Sequence, residues 1–224
     1  MWFKALREDI KAAKLNDPAA RNSFEIWLTY AGVHALSWHR TAHFFHKIKC
    51  KTLARCISQL GRFFTGVEIH PAAKIEAGVF IDHGAGVVIG ETAEVHKGTV
   101  IYQGVTLGGT GKEKGKRHPT VMEDVTISAG AKVLGGFTVG KGAKIGAGAV
   151  VLKEVPPDST AVGIPAKVVK RGSDKVPQQD LDQIHIPDPV AQEIRRLEEK
   201  IKHLEEVLGA KDDTKGTEDI NEGI

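Results

Sequence analysis

Aliphatic residues recur at every sixth position through the middle of the chain, with polar residues and glycine between them. The series slips once by two positions, and later it is interrupted for longer. A period of six fits neither an α-helix nor a simple alternating strand, so we predict short parallel strands coiled into a β-solenoid. The aliphatic positions are Ile69, Ile75, Ile81 and Val87, then Ile89, Val95, Ile101 and Leu107, and then Val121, Ile127, Val133, Val139, Ile145 and Val151.

Glycine often stands three residues after these aliphatic positions. A chain that turns tightly needs a positive φ there, which glycine adopts at low cost. Each hexad is therefore predicted to be a short strand followed by a turn. The glycines are Gly78, Gly84, Gly98, Gly104, Gly130, Gly136, Gly142 and Gly148.

The segment before the hexads has a helical pattern. In residues 1–64, Leu6, Ile10 and Ala13 share one helical face, and we predict further helices over 33–48 and 53–63. This N-terminal α-helical domain is followed by the solenoid over 65–170, from which an external loop leaves at 108–119.

The segment after the hexads has three parts. A linker over 171–189 contains proline and aspartate, a helix over 190–209 has apolar residues spaced alternately by four and three, and the tail 210–224 is polar. We predict a coiled coil of about three heptads and a flexible tail. The apolar positions of the coiled coil are Val190, Ile194, Leu197, Ile201, Leu204 and Leu208.

Composition and charge exclude several classes of protein. The formal net charge is +3 with 31 basic and 28 acidic residues, so nothing favours nucleic acid or an acidic membrane. The sequence contains no run of about 18 apolar residues and no signal-peptide pattern. Two cysteines argue against a disulfide framework, so we expect a cytoplasmic protein.

The hexads are broken in two places where polar residues gather. The long interruption reads "LGGTGKEKGKRHP", and the two-residue slip follows "IDHG". Taken alone, the first is most simply a solvated basic loop and the second a pair of surface residues. Such breaks are nevertheless where function is grafted onto a repetitive fold.

The order of motifs along the chain identifies a family. "VEIHPAAKI", "IDHGAGVVIGE", "VTLGGTG", "KRHP", "AGAKVLG", "KIGAGAVV" and "VGIPAK" follow one another, and together they resemble the serine O-acetyltransferases of the hexapeptide-repeat acyltransferases. The likeness runs from about Asp9 to Arg171. It implies a mixed α and β fold in which N-terminal helices precede a left-handed parallel β-helix. The left hand comes from the resemblance, since parallel crossovers are generally right-handed.

The resemblance implies acetyl transfer from acetyl-CoA to L-serine, which gives O-acetylserine for cysteine synthesis. Such a reaction needs a base, and an unperturbed imidazole with a pKa of about 6.5 is mostly neutral near pH 7. His83 suits this role, and the resemblance names Glu68 as the carboxylate that orients it, where the family usually has aspartate. With 18 residues in a coil of three hexads, His83 is expected to lie over residue 65, a short corner away from Glu68.

The remaining site residues are also implied by the resemblance. Asp17 and Asp82 would bind the ammonium of serine, and Arg117 with His118 its carboxylate, for which the planar guanidinium is well suited. Asp17 precedes a proline, so it could equally be a helix N-cap. Asp82 could instead accept a hydrogen bond from a turn amide. The residues expected along acetyl-CoA are Gly108, Gly109, Thr110, Ala129, Lys144 and Ala147. No activated cysteine or serine is seen, so direct transfer in a ternary complex is expected.

The family also implies an assembly and partners. Its members are typically trimers with active sites between neighbouring β-helices, whereas the Ile and Leu order of the coiled coil favours two strands. The shorter helical region argues against the hexamers of longer members. The terminal "DINEGI" resembles the family's C-terminal peptide, whose last residue, here Ile224, enters O-acetylserine sulfhydrylase. L-cysteine is implied as a feedback inhibitor.

Other readings remain open. His39, His43 and His46 share a helical face, yet no carboxylate or cysteine joins them, so packing is favoured and no metal is expected. An acetyltransferase for a sugar or homoserine would use the same fold, and so would a metal-dependent hydratase with three converging histidines. A catalytically silent scaffold that docks the sulfhydrylase is the alternative from another class.

Overall fold

The computed structural model describes residues 2–111, 114–171, 194 and 196–205. The chain divides into two compact units, Met1–Ile186 and Pro187–Ile224. In the second unit, the described residues 196–205 are helical, and Leu197, Ile201 and Leu204 are exposed. The predicted linker, the rest of the coiled coil and the tail with Ile224 lie outside the described residues. No helix in the described ranges is both long and apolar enough to span a membrane.

Four helices precede the β-helix. They are α1 (Trp2–Asn16), α2 (Ser23–Thr29), α3 (Ala31–Lys47) and α4 (Lys51–Thr65). The side chain of Asn22 caps α2 by accepting a hydrogen bond from the backbone N–H of Glu25. Helix α4 ends at Gly66, whose left-handed φ of 72° allows the chain to turn into the first strand.

Short strands follow in regular order. They are β1 (Glu68–Ile69), β2 (Lys74–Ile75), β3 (Phe80–Ile81), β4 (Val88–Ile89), β5 (Glu94–Val95), β6 (Val100–Ile101), β7 (Thr106–Gly108), β8 (Thr120–Val121), β9 (Thr126–Ile127), β10 (Lys132–Leu134), β11 (Thr138–Val139), β12 (Lys144–Ile145), β13 (Val150–Val151), β14 (Ser159–Val162) and β15 (Lys167–Arg171). Every third strand joins the same sheet until β14, where β15 pairs in antiparallel fashion.

The strands form the three sides of a parallel β-helix. The first sheet has the order β1-β4-β7-β10-β13, the second contains β2, β5, β8 and β11, and the third contains β3, β6, β9, β12, β14 and β15. Of the fourteen aliphatic positions predicted to point inward, all are buried except Ile75, which packs against the core partly buried. Stacked rows of branched side chains thus fill the interior, as the hexad pattern predicts.

The coils are not all 18 residues long. Glu68 pairs with Val88, 20 residues later, because the turn after β3 holds two extra residues. Glu94 pairs with Thr120, because the external loop lengthens that coil. The expectation that His83 lies over residue 65 is therefore wrong in detail: the N–H of Gly86 donates to the carbonyl of Gly66, and His83 lies in the lengthened part of the turn.

The positions with a positive φ differ from the predicted ones at two turns. Gly84 and Gly136 do not have one; His83 (51°), Gly86 (74°) and Gly135 (139°) do. Gly84 is required for space instead, because a Cβ there would lie 2.6 Å from Cγ2 of Val67.

The helices are joined to the β-helix by two close contacts. The buried carboxylate of Asp9 in α1 accepts hydrogen bonds from Arg40 in α3 and from the backbone N–H of Gly78 in the turn before β3, the latter at 2.9 Å. Gly32 in α3 lies directly on β3, where a Cβ would be 2.0 Å from the carbonyl oxygen of Ile81. Both contacts position helices beside the turn that carries Asp82 and His83.

Candidate active site

Two corners of the β-helix hold the predicted site residues. The first corner is defined here as the turns that lead from the third sheet into the first sheet, including residues 82–87, 128–131 and 146–149. The second corner is the turns from the first sheet into the second, including residues 90–93, 109–111 and 114–119. Because the two corners are the two ends of the first sheet, residues on one corner are separated from those on the other by the length of a strand.

His83 stands out from the first corner. Its side chain is 77% exposed, and its Nε2 lies 3.7 Å from Oδ1 of Asp82. Asp82 is far less exposed, and its backbone N–H donates to the carbonyl of Ile101 at 2.8 Å, which fixes the start of the turn. Burial raises the pKa of Asp82, and the nearby carboxylate of Asp17 raises it further, while His83 opposes this.

Asp17 reaches the same corner from the end of α1. Its Oδ1 accepts the backbone N–H of Ala19 at 2.7 Å, and its Oδ2 accepts the hydroxyl of Tyr30. The N-cap reading of Asp17 is wrong, because its backbone N–H still bonds to Ala13 of α1 and the next helix starts only after Asn22. Burial, together with the Asp17 carboxylate, raises the pKa of Tyr30 to about 12, so the phenol stays protonated as a donor.

Glu68 has a different partner from the one expected. Its Oε2 lies 3.1 Å from Nη1 of Arg62 at the end of α4, and its backbone pairs with Val88 in the first sheet. The carboxylate beside the His83 ring is thus that of Asp82, whereas Glu68 forms an ion pair with Arg62.

The end of the external loop is fixed at the second corner. The hydroxyl of Thr92 accepts the backbone N–H of Arg117 at 3.1 Å and that of His118 at 3.0 Å. The ammonium of Lys116 donates to the carbonyl of Thr92 at 2.8 Å, and the guanidinium of Arg117 donates to the carboxylate of Glu91. These hydrogen bonds hold the end of the loop, residues 116–118, against the second corner.

His118 is packed tightly into this corner. Its side chain is buried, and a Cβ on Gly90 would lie 2.1 Å from its Nε2, so only glycine leaves room for the ring. Burial, and secondly the charge of Arg117, lower the pKa of His118. The hydrogen bond from Arg117 lowers the pKa of Glu91. At neutral pH this corner offers a guanidinium and a neutral imidazole.

The residues expected along acetyl-CoA are divided between the corners. Ala129 and Ala147 lie in the first corner, each the second residue after its strand, β9 or β12, and Lys144 lies in β12. At the second corner, Gly108 ends β7, Gly109 and Thr110 begin the loop, and a Cβ on Gly109 would lie 3.0 Å from Cγ of Arg117.

Several residues of these corners were missed in the sequence. Tyr30, Glu91 and Thr92 contact predicted site residues, but each is bonded to a residue 13 to 26 positions away. For Glu91 and Thr92 the available signal was their position just after the inward Ile89, where a corner is expected. Nothing in the sequence links Tyr30 to Asp17.

The helical histidines predicted to serve packing lie against other parts of the protein. His39 is buried, and burial lowers its pKa to about 3. Nδ1 of His43 lies 2.8 Å from the carbonyl of Pro71. Among the residues that the structure describes, no cluster of three or more His, Cys, Asp or Glu side chains could hold a metal ion.

Comparisons with known proteins agree on one family. A family model described as bacterial transferase hexapeptide (six repeats) matches residues 118–153. A protein of Bacillus pumilus (strain SAFR-032) named serine acetyltransferase is 57% identical over 210 residues, which cover 94% of this chain and 96% of the relative.

Two solved structures show the same fold. A serine acetyltransferase in complex with cysteine matches with a TM-score of 0.80 and 43% identity, over 83% of this chain and 72% of the other. A serine acetyltransferase in complex with CoA matches with a TM-score of 0.72 and 43% identity, over 75% of this chain and 70% of the other. The β-helix is accordingly the left-handed hexapeptide-repeat solenoid, and the chain belongs to the serine acetyltransferase family.

Proposed function

We propose that the protein transfers the acetyl group of acetyl-CoA to the hydroxyl of L-serine, releasing CoA and O-acetyl-L-serine for cysteine biosynthesis. His83 takes the hydroxyl proton as the oxygen attacks the thioester carbon, and the thiolate of CoA leaves. Both substrates are bound together and the acetyl group passes directly between them.

One observation supports this proposal most strongly. Asp17, from the end of α1, lies close enough to Asp82, directly after β3, for its charge to raise the pKa of Asp82 beyond the effect of burial, and His83 is next to Asp82. Two carboxylates beside an exposed imidazole suit an acceptor that carries an ammonium next to its hydroxyl. A neutral sugar acceptor has no ammonium to match these carboxylates.

Glu68 is proposed as a further carboxylate that orients and stabilises the imidazolium of His83. The family membership supports this role. In the structure the carboxylate of Glu68 also pairs with the positive charge of Arg62. Asp82 at 3.7 Å provides the alternative partner of the ring.

The acceptor's carboxylate is proposed to bind Arg117 and His118. These two residues lie on the second corner, a strand's length from His83, so one β-helix does not bring the two halves of the site together. We therefore propose a homotrimer in which the first corner of one chain faces the second corner of its neighbour. Further pairing into hexamers is not required by this arrangement.

The same division applies to acetyl-CoA. We propose that Gly108, Gly109 and Thr110 of one chain, and Ala129 and Ala147 of the neighbour, flank the pantetheine arm and the thioester, with Lys144 towards the phosphates. Small residues allow an extended arm to lie close to the backbone on both sides.

The reaction is tested by measuring thiol release from acetyl-CoA with L-serine, homoserine, threonine and a sugar as acceptors. We expect release that depends on L-serine and falls at least about 100-fold in His83→Ala, because general-base catalysis typically contributes that much. The matched control is His34→Ala, since His34 is a helical histidine whose ring contacts the carbonyl of Trp27. Serine-dependent release that survives in His83→Ala would refute the proposed base, and turnover of a sugar alone would refute the substrate.

Partners outside the reaction follow from the family. We propose L-cysteine as a feedback inhibitor at the serine site, a cytoplasmic location, and O-acetylserine sulfhydrylase as a protein partner bound through Ile224. A free C-terminal carboxylate on an apolar residue is a recognised peptide-binding mode.

Removing Ile224 tests the protein partner. Titration of the sulfhydrylase with the full chain should show binding, and deletion of Ile224 should abolish it while leaving serine-dependent thiol release unchanged. Equal affinity of both forms would refute the assignment.

A further inference from the structure

The hydroxyl of Thr92 lies among three hydrogen-bonding groups of the second corner. Its Oγ1 lies 3.1 Å from the backbone nitrogen of Arg117, 3.0 Å from that of His118 and 2.9 Å from Nδ1 of the His118 ring. A hydroxyl has two acceptor lone pairs and one hydrogen. The two backbone N–H groups occupy the lone pairs, so the hydrogen is left for Nδ1.

The backbone N–H of Thr92 approaches the same ring atom. It lies 3.2 Å from Nδ1 of His118, so Nδ1 faces two donors of a single residue. A protonated Nδ1 would place its hydrogen against both donors. Nδ1 therefore carries no hydrogen, and the neutral ring carries its single N–H hydrogen on Nε2.

We propose that Thr92 is a positioning residue that holds His118 in the neutral Nε2–H tautomer, which makes His118 a hydrogen-bond donor to the acceptor's carboxylate. This assignment rests on the proposed function for the place of His118 in the serine site. The two site histidines then have different roles: His83 accepts a proton, and the neutral ring of His118 donates a hydrogen bond.

The charged neighbours of His118 are consistent with this tautomer. Arg117 and Lys116 on the loop act against a second positive charge, while Glu91 favours one but is bonded to the Arg117 guanidinium. Burial lowers the pKa of His70, two coils earlier at the same corner, and a charge on His118 lowers it further. A neutral ring leaves Arg117 as the cation that meets a carboxylate.

The tautomer is measured directly by long-range ¹H–¹⁵N correlation on protein labelled at histidine, with His118→Gln to identify the signals. Above neutral pH we expect a protonated Nε2 and an unprotonated Nδ1 in the wild type and in Thr92→Ser. In Thr92→Val, which lacks the hydroxyl but keeps the backbone N–H, the fraction of rings with a protonated Nδ1 should rise. A protonated Nδ1 in the wild type would overturn the proposal, and so would an unchanged tautomer in Thr92→Val.

Steady-state kinetics gives the functional readout. Thr92→Val should raise KM for L-serine roughly 2- to 12-fold, the ratio for one neutral hydrogen bond, with a smaller change in kcat, and Thr92→Ser should restore it. Thr99→Val is the matched control, because the Thr99 hydroxyl donates to the carbonyl of Met122, away from His118. An equal rise in KM in the control would overturn the positioning role. Absence of any serine-dependent release in the wild type would instead refute the proposed function, and the tautomer measurement would still decide this inference.

Discussion

At the scale of single residues, the first corner is organised by hydrogen bonds that reach between distant parts of the chain. Tyr30, which lies between α2 and α3, donates its hydroxyl to Asp17 at the end of α1, and Ala19 donates to the other carboxylate oxygen. With both oxygens engaged, the carboxylate has one orientation. An ammonium that binds it meets a fixed acceptor and not a rotating one.

Tyr30→Phe tests this arrangement. Removing the hydroxyl frees the carboxylate of Asp17, so KM for L-serine should rise about 3- to 10-fold while kcat changes less. The control ligand is 3-hydroxypropionate, which lacks the amino group. Its inhibition constant against serine should be the same in both proteins. Equal weakening of both ligands would show that Tyr30 supports the fold and does not act through Asp17.

At the scale of secondary-structure elements, the position of the turn that carries Asp82 and His83 depends on how closely α3 lies on β3. Gly32 permits this approach, because a Cβ there would lie 2.0 Å from the carbonyl oxygen of Ile81. The next residues along the chain are Asp82 and His83. A helix displaced from β3 would also displace Tyr30, which directly precedes α3.

Gly32→Ala should therefore damage the site as well as the fold. We expect a lower melting temperature, since inserting a methyl group into a tight contact costs about 1–3 kcal/mol, and a several-fold lower kcat/KM for L-serine. Gly61→Ala is the matched control: its Cβ would lie 2.8 Å from Cβ of Trp38, between α4 and α3. It should lower the melting temperature without changing kcat/KM. Wild-type kcat/KM in Gly32→Ala would contradict the account.

The elements were predictable to different degrees for a physical reason. The inward aliphatics of the β-helix repeat along the sequence because every coil buries the same kind of row, so the core could be read from spacing alone. The turn at Asp82 and His83 could be located, but its two extra residues move the positive φ from Gly84 to His83. The change in the position of the positive φ depends on how the coils stack, and a local sequence pattern carries no information about that stacking.

The site residues divide in the same way. His83, Asp82 and Arg117 lie in motifs that resemble a family, whereas Thr92 and Tyr30 act through hydrogen bonds across 26 and 13 positions. The N-cap reading of Asp17 failed because the pattern "DPAA" is shared by a helix start and by the turn that follows α1 here.

At the scale of the whole molecule, the two halves of the proposed site belong to different corners. His83, Asp82 and Asp17 lie at the first corner, and Arg117 and His118 are fixed at the second by Thr92. A single β-helix therefore carries the proposed base at one corner and the proposed carboxylate-binding residues at another. A closed ring of three chains would join each first corner to a neighbour's second corner.

The most direct test of the account is complementation between His83→Ala and Arg117→Ala chains. Each homotrimer should show little serine-dependent thiol release at serine concentrations well below KM. Co-expression in equal amounts should restore about a quarter of the wild-type kcat/KM, because one interface in four then combines an intact His83 with a neighbour's intact Arg117. Activity that stays at the level of the two parent variants would contradict the shared site.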